Sequence, residues 1–387
     1  MYADLEDQQK GAESSADGTT LSAQQFYQHD PLLVLLKDTL RLNDLWIIIG
    51  VMALPGGVFL FGWLLCLWTS NVQWWTPGNT LSVLLQIFIL FPLLFMIYLL
   101  VPVAIAGLFN TLRTNGAIGE HRRHQPGSET YENFVQQLVT WMDKSWWAAA
   151  TLVIIVFYVC YRLLLKEPQI STVPHWFSVS IVIIFLPLMY AVSMSVVRLL
   201  LALVFTNWLF YLFTIQIKPL HPDGSGGLGA LGRILWVSVV IMLWDALLLG
   251  AAMLGSNLHW FSSPEIILMG AIYVALTPSL LIGWLVFPHR VMVRARDEAL
   301  QPLADEFQQA LMQSISSVEH DVRTVVAGTR RLAALKQRYD LVRDTFPTWP
   351  LEIKALSRLT VTVILPIVLS LIASLITPVS QALGHPT

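Results

Sequence analysis

Six residues in this chain offer a side chain or an unhindered backbone able to do chemistry, at positions that need explaining. Asp245, in Leu243-Trp244-Asp245-Ala246, sits mid-way along an apolar run of about 20 residues. A carboxylate there costs at least about 2.5 kcal/mol to insert, so it must face other helices or a wetted cavity. It can act as a proton or cation site, or as a hydrogen-bonded Asp that joins two helices. His221 and Asp223 flank Pro222, just ahead of Gly226 and Gly227 in Gly224-Ser225-Gly226-Gly227-Leu228-Gly229. A helix that starts after such unhindered backbone offers free N–H groups and a positive dipole end, which suit a phosphate or carboxylate. Two other roles compete with anion binding. The glycines can let helices approach closely, and Asp223 can cap the following helix. Arg198 is the sixth, a guanidinium inside an apolar run too long for one bilayer crossing.

Other chemistries are poorly served. Gly227-Leu228-Gly229-Ala230-Leu231-Gly232 matches the dinucleotide fingerprint only formally, since no strand precedes it and an apolar helix follows. The histidines are scattered and no nucleophile, base and orienting acid cluster, so no catalytic set is assigned. His221 and Asp223 are the acid and base that an enzyme acting on lipid head groups would have to use. Cys66 and Cys160 both lie in apolar runs, which speaks against a disulfide framework and gives no metal-ligand spacing. No cofactor, metal or nucleic-acid partner is expected.

The elements that must position these residues are membrane helices. Of 387 residues 55% are hydrophobic and 12% charged, and the mean hydropathy is +0.63, far from a soluble domain. The expected fold is all-α, a polytopic bundle of about seven transmembrane helices with a cytoplasmic antiparallel helical hairpin. Seven stretches reach the length needed to cross about 30 Å of hydrocarbon: residues 45–68, 81–108, 146–165, 176–197, 234–255, 266–287 and 359–376. Tryptophans such as Trp46, Trp68, Trp146, Trp176 and Trp260 mark their ends, as at lipid interfaces.

All 23 lysines and arginines except Arg162 and Lys166 fall on one side of this arrangement. That asymmetry puts the N-terminus at the cytoplasmic face of the inner (plasma) membrane and the C-terminus outside. The parts are a disordered N-terminus (1–30), an amphipathic surface helix (31–44), the bundle (45–287) with its central loop (214–233), the hairpin (288–350), and a last span with an external tail (351–387). The lipid bilayer is the first partner. The fourth run, continued to Phe213, would reach about 57 Å as one helix. Beyond Arg198 it is expected to lie at the interface, to be buried in the bundle, or to re-enter as a hairpin.

Prolines fall within several spans, at Pro55, Pro92, Pro102, Pro187, Pro278 and Pro366. Broken helices are one way in which transporters expose backbone groups to solute. Past Pro302, apolar residues from Leu303 to Val325 follow a heptad-like seam that Gly328 is expected to end, and a second seam runs from Leu332 to Val342. The hairpin so formed can bind a protein partner or a second copy through residues 303–342.

The run Pro219-Leu220-His221-Pro222-Asp223, two residues, then Gly226-Gly227-Leu228-Gly229 resembles a signature of uncharacterised bacterial multi-pass inner-membrane proteins. In that signature a basic residue follows the Asp; Gly224 stands there in this chain, which removes a charge that an anion site would use. The likeness extends to Phe346-Pro347-Thr348-Trp349-Pro350-Leu351 and brings no reaction with it. Two functions remain in view: a transporter or channel for an ion or small solute, and a membrane-anchored scaffold acting through the hairpin.

Overall fold

The computed structural model describes residues 20–68, 84–121, 130–161, 175–218, 221–254, 263–317, 322–347 and 349. A 3-10 turn at Ala23–Phe26 leads to a short helix, Pro31–Leu33, that continues with wider π-type turns over Val34–Thr39. The long helices are α1 (Asp44–Trp68), α2 (Phe91–Thr114, entered through π-type turns at Gln86–Leu90), α3 (Tyr131–Met142), α4 (Ser145–Tyr161), α5 (His175–Leu212), α6 (Gly229–Leu254), α7 (Ser263–Ser317) and α8 (Val322–Thr345). Two short strands complete the described elements, β1 (Ile118–His121) and β2 (Phe213–Ile215).

Helices coincide with six of the seven apolar stretches, and the seventh, residues 359–376, lies outside the described residues. Among the described residues, five helical stretches are long and apolar enough to cross a membrane: Asp44–Leu64, Gln86–Thr114, Tyr131–Tyr161, Ile183–Leu212 and Gly270–Ile315. The chain is therefore a membrane protein by the length and composition of its helices. Burial separates centre from rim. On α2, Phe91, Leu94, Tyr98, Val101, Ile105, Phe109 and Leu112 are all buried, and α5 and α6 pack against it. On α1 and α4, Leu54, Ile154 and Phe157 are 71, 68 and 75% exposed. So much bare apolar surface is untenable in water and ordinary against acyl chains.

Three expectations change in the N-terminal segment and α7, and one of the alternatives given for α5 is the one adopted. Residues 20–30 do not form a disordered tail, because Phe26 and Asp30 are buried and Leu21 exchanges two 2.9 Å hydrogen bonds with the Asn110 side chain of α2. The segment after it is helical only to Thr39 and is seated by Leu33, which is 1% exposed; the chain then turns through Arg41, whose backbone is left-handed at φ 50°. α5 does not break at Arg198 but runs straight to Leu212, with Leu199, Ala202, Leu209 and Phe210 buried. This is the bundle-buried alternative, and the apolar residues on its inward face account for it. Finally, α7 passes through Pro288 and Pro302 without ending, so the division at residue 288 falls inside one 55-residue helix.

Gly328 is not a stop either. It lies within α8, and a Cβ there would come 3.3 Å from Ser314 Cβ on α7. The small residue lets two helix backbones approach, an advantage that outweighs glycine's cost of about 1 kcal/mol in a helix interior. Arg331 and Glu306 face each other at 3.8 Å, so α8 runs back along α7. The two strands were not foreseen from the sequence. β1 follows α2, β2 follows α5, and their antiparallel pairing (Ile118 with Ile215, His121 with Phe213) ties those helix ends together.

Candidate functional site

The most heavily buried charges among the described residues are Arg198 on α5 and Asp30 at the N-cap of Pro31–Leu33, with both side chains 1% exposed. Arg198 Nη2 donates to Asp30 Oδ2 at 2.7 Å and to the Phe26 carbonyl at 3.3 Å. Tyr98 of α2 donates its hydroxyl to Asp30, 2.7 Å from each carboxylate oxygen, and Tyr190 of α5 approaches Oδ1 at 3.3 Å. The backbone N–H groups of Leu32 and Leu33 reach Oδ1 at 3.0 and 3.2 Å. Local sequence explains much of this. Asp is a preferred N-cap and Pro31 suits the first helical position, and Tyr190 and Arg198 lie two helical turns apart and therefore on one face of α5. The guanidinium carbon also stands 5.7 Å from the centre of the Tyr98 ring, within cation–π range.

Donors and acceptors do not balance here. The carboxylate is fully supplied, whereas Arg198 Nε and Nη1 are buried and meet no acceptor among the described residues. Those two nitrogens carry three N–H bonds, and leaving them unmade costs about 1–3 kcal/mol each unless water or a polar solute accepts them. The neighbouring residue adds a second anchor. His29 N donates to Asp143 Oδ1 at 2.9 Å, and His29 Nδ1 lies 2.6 Å from Asp143 Oδ2 in the turn between α3 and α4. One N-terminal strap thus grips α2, α5 and the α3–α4 turn.

The loop before α6 is organised around Asp223. Its Oδ1 accepts from Ser225 N at 2.9 Å and Gly227 N at 3.1 Å, and its Oδ2 from Gly229 N at 3.0 Å, where α6 begins. His221 Nδ1 stands 2.8 Å from Oδ1. Partial burial pushes the Asp223 carboxyl up, but the N–H groups of Gly227, Gly229 and Ser225 together with His221 outweigh it and hold the group below the usual carboxylate range. Three N–H groups that a phosphate would need are therefore already turned on the protein's own carboxylate.

The glycines pack rather than gape. Gly226 and Gly227 are left-handed at φ 66° and 95°, and a Cβ on Gly226 would collide with the Ile217 side chain. Asn115 at the end of α2 donates its amide to the Gly227 carbonyl at 3.0 Å, and Lys218 Nζ donates to the Asn115 carbonyl at 2.8 Å. Close packing with an Asp cap is the arrangement seen.

Of the sequence candidates, His221, Asp223, Gly226 and Gly227 come together in this one turn. Arg198 belongs to the separate cluster with Asp30. Asp245 falls within α6, and its side chain lies outside the described residues. The sequence alone does not mark Asp30, Tyr98 or Tyr190. The available signals were the Asp30-Pro31 cap pattern and the need of Arg198 for a counter-ion, but nothing in the sequence joins two residues 168 positions apart. Compared with family models, with curated proteins and with solved structures, the chain matches none.

Proposed function

We propose that the chain carries an ion or small solute across the inner membrane, with its N-terminus and the α7–α8 hairpin on the cytoplasmic side. The carrying observation is the buried Arg198–Asp30 pair with two guanidinium nitrogens lacking an acceptor. A buried ion pair is rarely the most stable filling for its space, since apolar residues of similar volume often do as well or better. Ionisable groups kept inside a helix bundle commonly belong to solute or proton pathways. In this reading the unclaimed N–H groups contact water or solute, the N-terminal strap is the gate over them, and Asp245 supplies a second charged station on α6. The Asp223 loop keeps the ends of α2, α5 and α6 in register.

The test is flux into proteoliposomes that report protons, potassium and chloride separately. Wild-type protein is expected to exceed protein-free vesicles for at least one ion, with Asp30→Asn and Asp245→Asn each changing the rate. Unchanged flux in Asp245→Asn removes that residue from the pathway, and a wild-type signal equal to empty vesicles for all three removes ion transport.

A second reading has its own observation. Leu311, Met312, Ile315 and Val326 on the α7–α8 pair are 39, 62, 61 and 48% exposed, far along the chain from the apolar part of α7. A scaffold that uses this face would lose its partner when residues 303–342 are deleted while the bundle still inserts.

A further inference from the structure

Where α7 passes from its apolar half to its charged half, a cleft of about 460 Å³ is lined by His289, Arg290, Arg294, Asp297, Glu298 and Gln301 together with Val293. α7 begins at Ser263 and, past Glu265, carries no charge from Ile266 to Phe287, about 33 Å of helix, which is enough to cross the hydrocarbon. Arg290 therefore comes about one turn beyond, at head-group depth. The Trp349 indole stacks on the His289 ring there, with centroids 4.0 Å apart and planes 17° from parallel, an amphipathic ring at the depth where tryptophans settle.

The charges in this cleft have an order. Arg290, Arg294 and Glu298 are spaced by four and so share one face of the helix, about 6 Å apart along its axis. Both arginines precede the carboxylate as α7 leaves the bilayer. Arg296 is engaged by Asp297 at 3.0 Å, whereas Arg290, Arg294 and Glu298 have no ion-pair partner among the described residues. A phospholipid head group with an amine has the same covalent order, phosphate next to the glycerol and ammonium at the free end.

We infer that this cleft binds a phospholipid whose head group carries a phosphate and a primary ammonium. The arginines take the phosphate through charge-assisted, fork-shaped hydrogen bonds, and Glu298 takes the ammonium N–H groups. A quaternary ammonium has no N–H to give, and a glycerol head group brings no positive charge, so both are disfavoured. The inference needs only that α7 leaves the bilayer near Phe287, and it stands or falls apart from transport.

The test is native mass spectrometry of the full chain released from nanodiscs that contain phosphatidylethanolamine, phosphatidylcholine and phosphatidylglycerol in equal parts. Wild-type protein should retain phosphatidylethanolamine in excess of the other two. Arg290→Gln with Arg294→Gln should lower its occupancy about tenfold, and Glu298→Gln should leave phosphate binding but abolish the preference over phosphatidylcholine. These side chains line an open cleft, and unchanged helicity with monodisperse elution shows that each variant has folded; Arg290→Lys with Arg294→Lys, which keeps the charge, should recover part of the loss. Occupancy within about twofold of wild type in the double Gln variant, equal or greater retention of phosphatidylglycerol by wild type, or loss of the lipid to excess inorganic phosphate would each overturn the assignment.

Discussion

Replacing Asp30 by Asn tests the buried pair with little else disturbed. Asn caps helices as well as Asp does, so the contacts from Leu32 and Leu33 N–H can persist. What changes is the oxygen that faces Arg198 Nη2 at 2.7 Å. An amide NH2 there meets another donor, and a carbonyl there still leaves the cation without a counter-charge. Arg198 cannot shed its proton, so a full positive charge remains in a site 1% exposed. Breaking such a pair from one side costs about 3–5 kcal/mol, a large part of a typical total of about 5–15 kcal/mol. Arg198→Met in the same chain removes the stranded charge and should return most of that loss. Equilibrium unfolding of wild type, each single variant and the double variant in mixed micelles, followed by tryptophan emission and by helicity, gives the four free energies of the cycle, with an expected coupling of about 2–3 kcal/mol. A cost below about 1 kcal/mol for Asp30→Asn, with no coupling to Arg198→Met, would show that the N-terminal strap is not seated on α2 and α5.

Other outcomes follow from the same geometry. Asp223→Ala strips the acceptor from Ser225, Gly227 and Gly229 N–H and should cost about 1–2 kcal/mol, seen as faster amide exchange at Gly227 and Gly229. In wild type the folded Asp223 pKa is the depressed one, so its contribution is fully present above the ordinary carboxylate value near 4 and fades as pH falls through the lower folded value; opening of these amides between neutrality and that value would contradict the cap. Gly226→Ala should be more damaging than Gly227→Ala, because both positions are left-handed but only Gly226 meets a collision with Ile217; equal loss of folded protein in detergent would argue against that packing. Gly328→Val should part α7 from α8, which a cysteine pair at positions 306 and 331, whose side chains face each other at 3.8 Å, would report as lost cross-linking. Single cysteines at positions 328 and 387 should be labelled from opposite sides of the membrane, and labelling from one side would remove the odd number of crossings.

The helices were legible because lipid imposes one rule on the backbone: every peptide group must bond within its own segment, so an apolar run of sufficient length reads as a helix. The same rule explains the errors. Sequence polarity placed Asp30 in a tail because an isolated carboxylate is expected in water, and only tertiary structure brings Arg198 to neutralise it. Arg198 reads in the sequence as the point where α5 leaves the lipid, for the mirror-image reason. Pro288 and Gly328 looked like ends because local propensity disfavours them inside helices, yet α7 and α8 pack through both positions. Asp223 was assigned as a cap or a ligand in equal measure by its residue type, and its hydrogen bonds place it as a cap. The pairing of β1 with β2 left no trace, since strands of four and three residues are too short to establish a period.

The strap has a bearing on how the chain is made. Asp30 is synthesised 168 residues before Arg198, so at about 5–20 residues per second it waits roughly ten to thirty seconds for its counter-ion. During that interval Tyr98 of α2 has been made, but α5 has not, and the cation that pairs with Asp30 is still to come. The N-terminal strap can therefore complete its docking only after α5 has been made. Its seating reports that the helices through α5 have been inserted and assembled.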